Sequence, residues 1–336
     1  MSEPTIRDVA GRAGVSIATV SRALTGQDVV SEETRLKVED AARQLHYRVN
    51  SHARSLRSSR SHTVGLLVSD VRNPFFAQLA HRIQTDLAAR GYATFIGSAA
   101  ENQTRQDAYL SSLLQHRIDG VIVTPQGSDS QVLRQMIDMD LPVIFVDRTV
   151  PELGVPFVDS DPAPGIRQAI EVLFAASHKK IGFIAGPLDT STGRDRLEQF
   201  QLIAPGIIGS DNALIAHGGF DENQSRAALE YLVGERVDAL IFGYAPNTFV
   251  ALRQLHRLGI VPGRDIGLVS FDDIETFVLM DPPIAVISQQ IDELGATAVR
   301  MLTSLMQGDI PVSSRIPTTF IARRSIGGLG NYRSQE

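Results

Sequence analysis

GVSIATVSRAL, residues 14–24, sets a chain-breaking glycine and a capping serine ahead of a short helix that is apolar along one stripe only. Val20, Ala23 and Leu24 form that stripe. Ile17, Ala18, Ser21 and Arg22 leave it, and most are small or hydrogen-bonding where a core helix carries Leu and Ile. Upstream, Thr5 and Asp8 have capping-box spacing and Ile6, Val9, Ala10 and Ala13 recur at i, i+3, i+4, i+7, so an amphipathic helix is expected to end at Gly14. Downstream, Ser31 followed by Glu32 and Glu33 caps a third helix whose stripe is Val38, Ala41, Ala42 and Leu45. Two short helices joined by a Gly-containing turn and braced by a third form a helix-turn-helix unit. The outer face of the second helix suits a major groove. Arg22 can pair with guanine O6 and N7, Ala18 or Ile17 can meet a thymine methyl, and Thr19 and Ser21 can reach phosphates. A small helical bundle with a polar face has the same periodicity, so charge has to discriminate.

The chain of 336 residues has a formal net charge of −6. Residues 1–60 hold ten basic against seven acidic side chains, which makes this part +3 and the remainder −9. Between Asp40 and Asp70 no acidic residue occurs, while five Arg and three His do. A basic head on an acidic body points to a polyanion partner for the head alone. The run NSHARSLRSSRSH, residues 50–62, has the composition of a tether, and Leu56 is the one large apolar side chain between Val49 and Val64.

Beyond residue 62, apolar runs with strand character alternate with amphipathic stretches: TVGLLVSD (63–70), YATFIGSA (92–99), DGVIVTP (119–125), LPVIFVD (141–147), KKIGFIAG (179–186), DALIFG (238–243) and DIGLVSF (265–271). Continuous Val and Ile runs between helices indicate parallel sheets covered on both faces, hence a doubly wound α/β body. Polar and aromatic residues gather where the strands end: Asn73, Phe75 and Phe76 after the first, Asp147 and Arg148 after the fourth, Thr190, Thr192 and Arg196 in GPLDTSTGRDRL, and Asp272 and Asp273 after DIGLVSF. Ligands of open α/β sheets bind at strand carboxyl ends. Taken singly, a Phe pair is more often core and an Asp-Arg pair more often a loop salt bridge.

Several classes fall away. With no Cys there are no disulfides, thiolate zinc sites or cysteine nucleophiles. GPLDTSTGRD lacks the Lys of a phosphate-binding loop, no His pair has zincin spacing and no Gly-x-Ser-x-Gly elbow occurs, so neither an enzyme nor a metal or cofactor is expected. No apolar run approaches the ~20 residues of a membrane span, and MSEPTIRDVA has neither a basic n-region nor an apolar h-region. A cytoplasmic protein is expected.

TIRDVAGRAGVSIATVSRALTG (5–26) followed by VSEETRLKVEDAARQLHY (30–47) closely resembles the head of the lactose-repressor family of bacterial transcription regulators, and the similarity continues to about Ser325. The resemblance implies a helix-turn-helix domain at 1–49, a hinge at 50–62 and, at 63–336, a two-lobed body like the periplasmic sugar-binding proteins. It implies that Ile17, Ala18 and Arg22 read bases while Thr5, Ser16, Thr19, Ser21, Ser31, Thr34 and Tyr47 hold phosphates. It implies a hinge helix formed on operator DNA, with Leu56 wedged into the minor groove beside Asn50, Ala53 and Arg54.

In the body, similarity to ribose-binding relatives assigns Asn73, Asp147, Arg148, Arg196, Asp272 and Gln289 to hydroxyl groups and Phe75, Phe76 and Phe220 to rings that sandwich a sugar. Thr190, Thr192 and Tyr244 complete the implied cleft. The implied partners are a pseudo-palindromic DNA operator, a second copy of the chain, and ribose, a ribonucleoside or a related sugar acting as inducer. The alternatives are a family regulator with a different effector or a corepressor and, behind these, a sugar-binding protein without a regulatory role. Four departures qualify this. Val49 stands where the family has Pro, Tyr244-Ala245 where it has Asn-Asp, and Thr190 where purine-responsive members have a base-reading Arg. The segment 196–220 is also shorter than in most members. After Arg324 the tail lacks heptads, so no C-terminal tetramer bundle is expected.

Overall fold

The structure, a computed structural model, describes residues 4–24, 30–47 and 61–327. Its contacts divide the chain into two units between Ser61 and His62.

The first unit is three helices, α1 (Ile6–Ala13), α2 (Ile17–Leu24) and α3 (Glu32–Gln44). Each begins at a cap that the sequence specifies. Asp8 Oδ2 accepts from the backbone N–H (2.8 Å) and hydroxyl (2.7 Å) of Thr5, closing the first turn of α1. Ser16 Oγ accepts from the Thr19 N–H (3.1 Å), and Ser31 Oγ from the Thr34 N–H (3.4 Å), so α2 and α3 start on the same Ser-x-x-Thr motif. Gly14 takes φ 66, a left-handed turn that a residue with a Cβ enters at a cost, and it ends α1 three residues before α2 begins. Val9, Ala10, Val20, Ala23, Val38, Ala41 and Ala42 form the core, with Leu24, Leu45 and Tyr47 packed at its edge.

The second unit holds two six-stranded sheets, each wrapped by helices. The N-lobe sheet, in the order β11-β5-β4-β3-β1-β2, comprises β1 (Thr63–Val68), β2 (Ala93–Ser98), β3 (Gly120–Val123), β4 (Val143–Val146), β5 (Phe157–Asp161) and β11 (Ser314–Pro317). The C-lobe sheet, β12-β10-β9-β8-β6-β7, comprises β6 (Ile181–Ala185), β7 (Ala213–His217), β8 (Ala239–Phe242), β9 (Gly267–Phe271), β10 (Ala285–Ser288) and β12 (Thr319–Ile321). All neighbours are parallel except β10 and β12. In both sheets the chain order reverses beside the first strand of the lobe, which opens a crevice at the strand carboxyl ends.

The helices of the N-lobe are α4 (Pro74–Ala89), α5 (Gln103–Gln115) and α6 (Gln131–Asp138), and those of the C-lobe are α7 (Ala163–Ala175), α8 (Ser191–Ile208), α9 (Glu222–Gly234), α10 (Ala245–Leu258) and α11 (Glu275–Val278). The chain crosses between lobes at 161–163, 288–291 and 317–319, and the second crossing returns α12 (Ile291–Leu305) to the N-lobe. There Leu294, Ala298, Val299 and Leu302 pack on Leu66, Leu79 and Ile83. At the first crossing Gly165 donates its N–H to Thr318 Oγ1 (3.1 Å), and a Cβ there would meet Ile287 and Thr318, so two crossings are locked side by side by a residue without a side chain.

All seven expected strands are present. One departs from the expectation of double coverage. β2 is an edge strand on which Phe95 (45%) and Ile96 (40%), consecutive residues pointing to opposite faces, are exposed, so among the described residues the helices leave both faces of the sheet partly open at this edge. β5, β7 and β10–β12 are not among the expected runs: FVDSD, ALIAH, AVIS, SRIP and TFI are too short or too polar to stand out, and their pairing is set by neighbouring strands.

Candidate functional site

The outer face of α2 is built as the sequence requires. Ile17, Ala18 and Arg22 are exposed while Val20 and Ala23 are fully or almost fully buried, so one short helix splits its length between core and solvent. Ile17 is 38% exposed, a β-branched side chain held in water on a helix with a buried face available. The hydroxyls of Ser16 and Thr19 lie 2.9 Å apart at the start of α2, and those of Ser31 and Thr34 repeat the arrangement at the start of α3. Helix N-termini present N–H groups and a positive dipole end to an anion, so both pairs stand where phosphates are well accommodated. Ser21 is half-buried, Thr5 is committed to its own helix cap, and Tyr47 packs against the head core. Asn50, Ala53, Arg54 and Leu56 lie outside the described residues.

In the body, the strand ends bring the expected polar residues together. Asp147 and Asp272 follow β4 and β9, the fourth strand of each lobe. They have φ 66 and φ 69, and each donates its N–H to the adjacent strand, Val158 O and Ile287 O, at 3.0 Å. Positive φ at two non-glycine residues of equivalent position marks a backbone held in place by its surroundings. Both carboxyls are buried. Burial pushes Asp147 up to about 7 against the pull of Arg148 and Arg196, with Asp272 and Glu101 adding to the rise. Asp272 is raised by burial too, opposed by Arg196 and by the Gln289 amide, which donates to Asp272 Oδ1 at 2.5 Å.

Arg148 is nearly fully buried and is gripped by two residues that the sequence reading passed over. Its Nη1 and Nη2 donate to the Glu101 carboxylate (2.7 and 3.0 Å), and Nη1 also to Gln126 Oε1 (3.1 Å). Its guanidinium stands 5.8 Å from the Phe76 ring. Arg196 has no ion pair among the described residues. It donates to Gly243 O (2.9 Å) and its guanidinium sits 4.2 Å above the Phe271 ring. Glu101 follows the end of β2 and Gln126 the end of β3. Surveying the carboxyl end of every strand, rather than of those with obvious Asp or Phe, would have found both.

Other expected residues are partly spent on structure. Asn73 caps α4, its Oδ1 accepting from the Phe75 N–H (3.1 Å). Thr190 caps α8, its hydroxyl donating to Pro187 O (2.7 Å) and accepting from the Gly193 N–H (3.0 Å), while Thr192 donates to it at 3.5 Å. Phe75 and Phe76 are 1% and 2% exposed and both belong to the N-lobe core, and of the two it is Phe76 whose ring stands beside Arg148. Phe220, 40% exposed, meets Tyr244 edge to face at 5.8 Å.

Two cavities adjoin this cluster at Glu101, one of them also at Arg148 and Gln126, and neither is lined by Asp147, Arg196, Asp272 or Gln289. One, of about 520 Å³, is lined by residues that include Glu101, Gln126, Arg148, Thr190 and Phe220. The other, of about 570 Å³, includes Asp70, Asn73, Glu101, Phe220, Tyr244 and Asn247. Each falls in the size range of small-molecule pockets. Arg148 and Asn247, which line the cavities, and Gln289, Ser69 and Thr124, which do not, each hold a buried atom without a hydrogen-bond partner: Nε, Nδ2, Oε1, Oγ and Oγ1. Such atoms are rare in a finished core. No described helix is long and apolar enough to cross a membrane.

Comparison with known proteins agrees with this layout. A family model described as periplasmic binding proteins and sugar binding domain of LacI family matches residues 61–324, and one described as bacterial regulatory proteins, lacI family, matches residues 5–50. The ribose operon repressor of Bacillus subtilis is 31% identical over 324 residues, covering 96% of this chain and 98% of that protein. The repressor CytR of Escherichia coli is 31% identical over 311 residues, covering 90% of both. Among solved structures, the lac repressor dimer bound to operator and an anti-inducer superposes with a TM-score of 0.84 at 25% identity, covering 97% of this chain and all of that one.

Proposed function

The chain belongs to the LacI family of bacterial regulatory proteins, and from that membership we propose that it is a homodimeric repressor released from its operator by a sugar or nucleoside. Members of this family regulate transcription and are not enzymes. The domain limits we assign are a DNA-binding head at 1–49, a hinge at 50–62 and an effector and dimerisation body at 63–336. The observation that carries the reading is the convergence of Asp147, Arg148, Arg196, Asp272 and Gln289, all buried, at facing strand ends of a body joined to a helix-turn-helix head. Carboxylates and guanidinium groups take adjacent hydroxyls bidentately, which is the chemistry of a sugar ring.

Ribose or a ribonucleoside is the effector favoured, because the relatives include a ribose operon repressor and because Thr190, whose hydroxyl caps a helix, cannot serve as the cation of a purine-reading cleft. In the head, Ile17, Ala18 and Arg22 read bases, with the two Ser-x-x-Thr caps and Tyr47 on phosphates. Leu56 in the linker is the minor-groove wedge, flanked by Asn50, Ala53 and Arg54. A DNA-bound regulator of this kind works in the cytoplasm.

Mechanistically, the ligand shifts the protein between states only by its differential affinity for them, so a ~100-fold loss of operator affinity corresponds to about 2.7 kcal/mol of coupling. Coupling is reciprocal. The test is a titration of operator binding with and without ribose and ribonucleosides, together with the reverse titration. Release of DNA by ligand and equal weakening of ligand by operator are expected, whereas mutual tightening makes this a corepressed regulator. Arg22→Ala should cost ~1 to 3 kcal/mol on the best operator and relax one base position per half-site. Thr34→Ala should weaken all sequences alike. Unchanged preferences in a binding-site selection with Arg22→Ala remove Arg22 from the base-reading set.

A further inference from the structure

The two lobes are also joined away from the cavities. Arg315, on β11 of the N-lobe, stands in register opposite Asp159 on β5. Its Nε donates to Asp159 Oδ1 at 2.9 Å and its Nη2 to Ser160 O at 3.1 Å, so the guanidinium is fixed from its own lobe. Nη2 also donates to the carboxylate of Asp195, which is on α8 and belongs to the C-lobe. None of the three charged residues lines either cavity.

A second bond crosses between the lobes nearby. The Thr149 N–H, next to Arg148 in the N-lobe, donates to Ser191 Oγ in the first turn of α8 at 3.0 Å. Ser191 and Asp195 are four residues apart and share one face of the helix, which is therefore given to the N-lobe. Arg196 and Phe200, also four apart, are buried on the C-lobe side. Arg196 meets Gly243 O and the Phe271 ring there, and Phe200 stacks on Phe183 at 4.8 Å. One helix is thus packed into its own lobe along one face and clasped to the other lobe along the next.

The clasp is asymmetric. Asp159 and Ser160 hold Arg315 whether or not the lobes meet, because all three sit on paired strands of one sheet. Asp195 is the partner that separates when the C-lobe moves. A guanidinium aligned in advance loses little freedom on receiving it.

We propose that Arg315 and Asp195 form a latch that holds the lobes in their present arrangement and sets how readily the body passes to another. The regulatory part rests on the effector reading proposed above. A ligand moves the lobes only by its differential affinity for two arrangements, and the latch fixes the populations from which it starts.

Hydrogen exchange on the full-length protein without ligand tests this. The Thr149 amide reports separation of the lobes, since its acceptor is across the gap, whereas the amides of Asp147 and Asp272 have acceptors in their own lobes, Val158 O and Ile287 O. In Asp195→Asn, which keeps the volume and removes the charge, Thr149 should exchange about threefold or more faster, with Asp147 and Asp272 within about 1.5-fold of the parent. Asp195→Glu should restore slow exchange. Arg315→Met should speed Thr149 at least as much as Asp195→Asn, and the double variant should be no faster than Arg315→Met alone, because both changes remove one contact.

Unchanged exchange at Thr149 in both single variants overturns the latch. Equal acceleration at Thr149, Asp147 and Asp272 also overturns it, leaving Arg315 and Asp195 a role in folding only. Additive effects in the double variant overturn the pairing of the two. With the expected exchange pattern in place, failure of ribose and cytidine to bind overturns the effector reading and the regulatory part of the proposal, but not the latch.

Discussion

The two lobes of the body are built on one plan and finished differently. In the N-lobe the charge beside the strand-end aspartate is closed within the lobe: Arg148 is held by Glu101 and Gln126, all three buried or half-buried. In the C-lobe the corresponding groups keep capacity to spare. Arg196 meets a carbonyl and a ring rather than a carboxylate, Gln289 uses its amide on Asp272 and leaves Oε1 unpaired, and Asn247 leaves Nδ2 unpaired. Asp273, next to Asp272, is taken out of the site by Arg323 at 2.7 Å. The difference is one of charge. The N-lobe guanidinium is neutralised by a carboxylate of its own lobe and the C-lobe guanidinium is not, while both lobes keep buried polar atoms without partners, Arg148 Nε, Ser69 Oγ and Thr124 Oγ1 in the first and Gln289 Oε1 and Asn247 Nδ2 in the second.

The largest expected effect tests the N-lobe half of this contrast. Arg148→Ala strands Glu101 as an uncompensated, mostly buried carboxylate and should cost ~3 to 5 kcal/mol in urea unfolding. Arg196→Ala removes one hydrogen bond and one cation–ring contact, so it should cost only about 1 to 2 kcal/mol while abolishing the effector response. Equal losses of stability would break the comparison.

A pH series sharpens it. A carboxyl whose pKa is higher in the folded than in the unfolded state favours folding when protonated. The stability it contributes is therefore present at low pH and lost as pH rises from the unfolded value near 3.8 to about 7 for Asp147. Asp147→Asn never ionises, so it should match the parent near pH 4 and exceed it increasingly above, by at most about 1.4 kcal/mol per pH unit, levelling off past pH 7. Melts at pH 5 and pH 8 check this. A variant less stable than the parent at pH 8 would mean that Arg148 and Arg196 more than compensate burial.

The smallest effect belongs to Gln289→Leu. The change removes a hydrogen bond to Asp272 together with an orphaned acceptor, so stability should move by no more than about 1 kcal/mol while effector affinity falls. The equivalent change in the N-lobe, Gln126→Leu, deprives Arg148 of a partner and should cost more. If the order is reversed, the C-lobe cluster is the rigid one.

What was legible in the sequence followed from local rules. Caps at Thr5, Ser16 and Ser31, the stripes of α1–α3, and aspartates directly after apolar runs are set by neighbours a few residues away. What escaped depended on distant partners. Gln126 meets Arg148 because β3 pairs with β4, and Glu101 meets it from the end of β2, which lies beyond β3 and β1 at the sheet edge, an arrangement no periodicity contains. Asn73 and Thr190 line the cavities and also cap α4 and α8, a second task that follows because a polar residue between strand and helix meets unsatisfied N–H groups first.

The backbone at Asp147 and Asp272 restricts how this protein can acquire a new ligand by descent. Only Gly, Asn and Asp sit comfortably in the conformation those two positions hold, so single mutations there sample a carboxylate, an amide or no side chain at all, and every other replacement carries a folding penalty of about 1–2 kcal/mol before it touches a ligand. Lineages that diverge from this chain therefore keep a polar floor and diversify above it. The aromatic and amide positions Phe220, Tyr244 and Asn247 lie on backbone that tolerates any residue, and it is there that one ancestral cleft can be rewritten, substitution by substitution, for different small molecules.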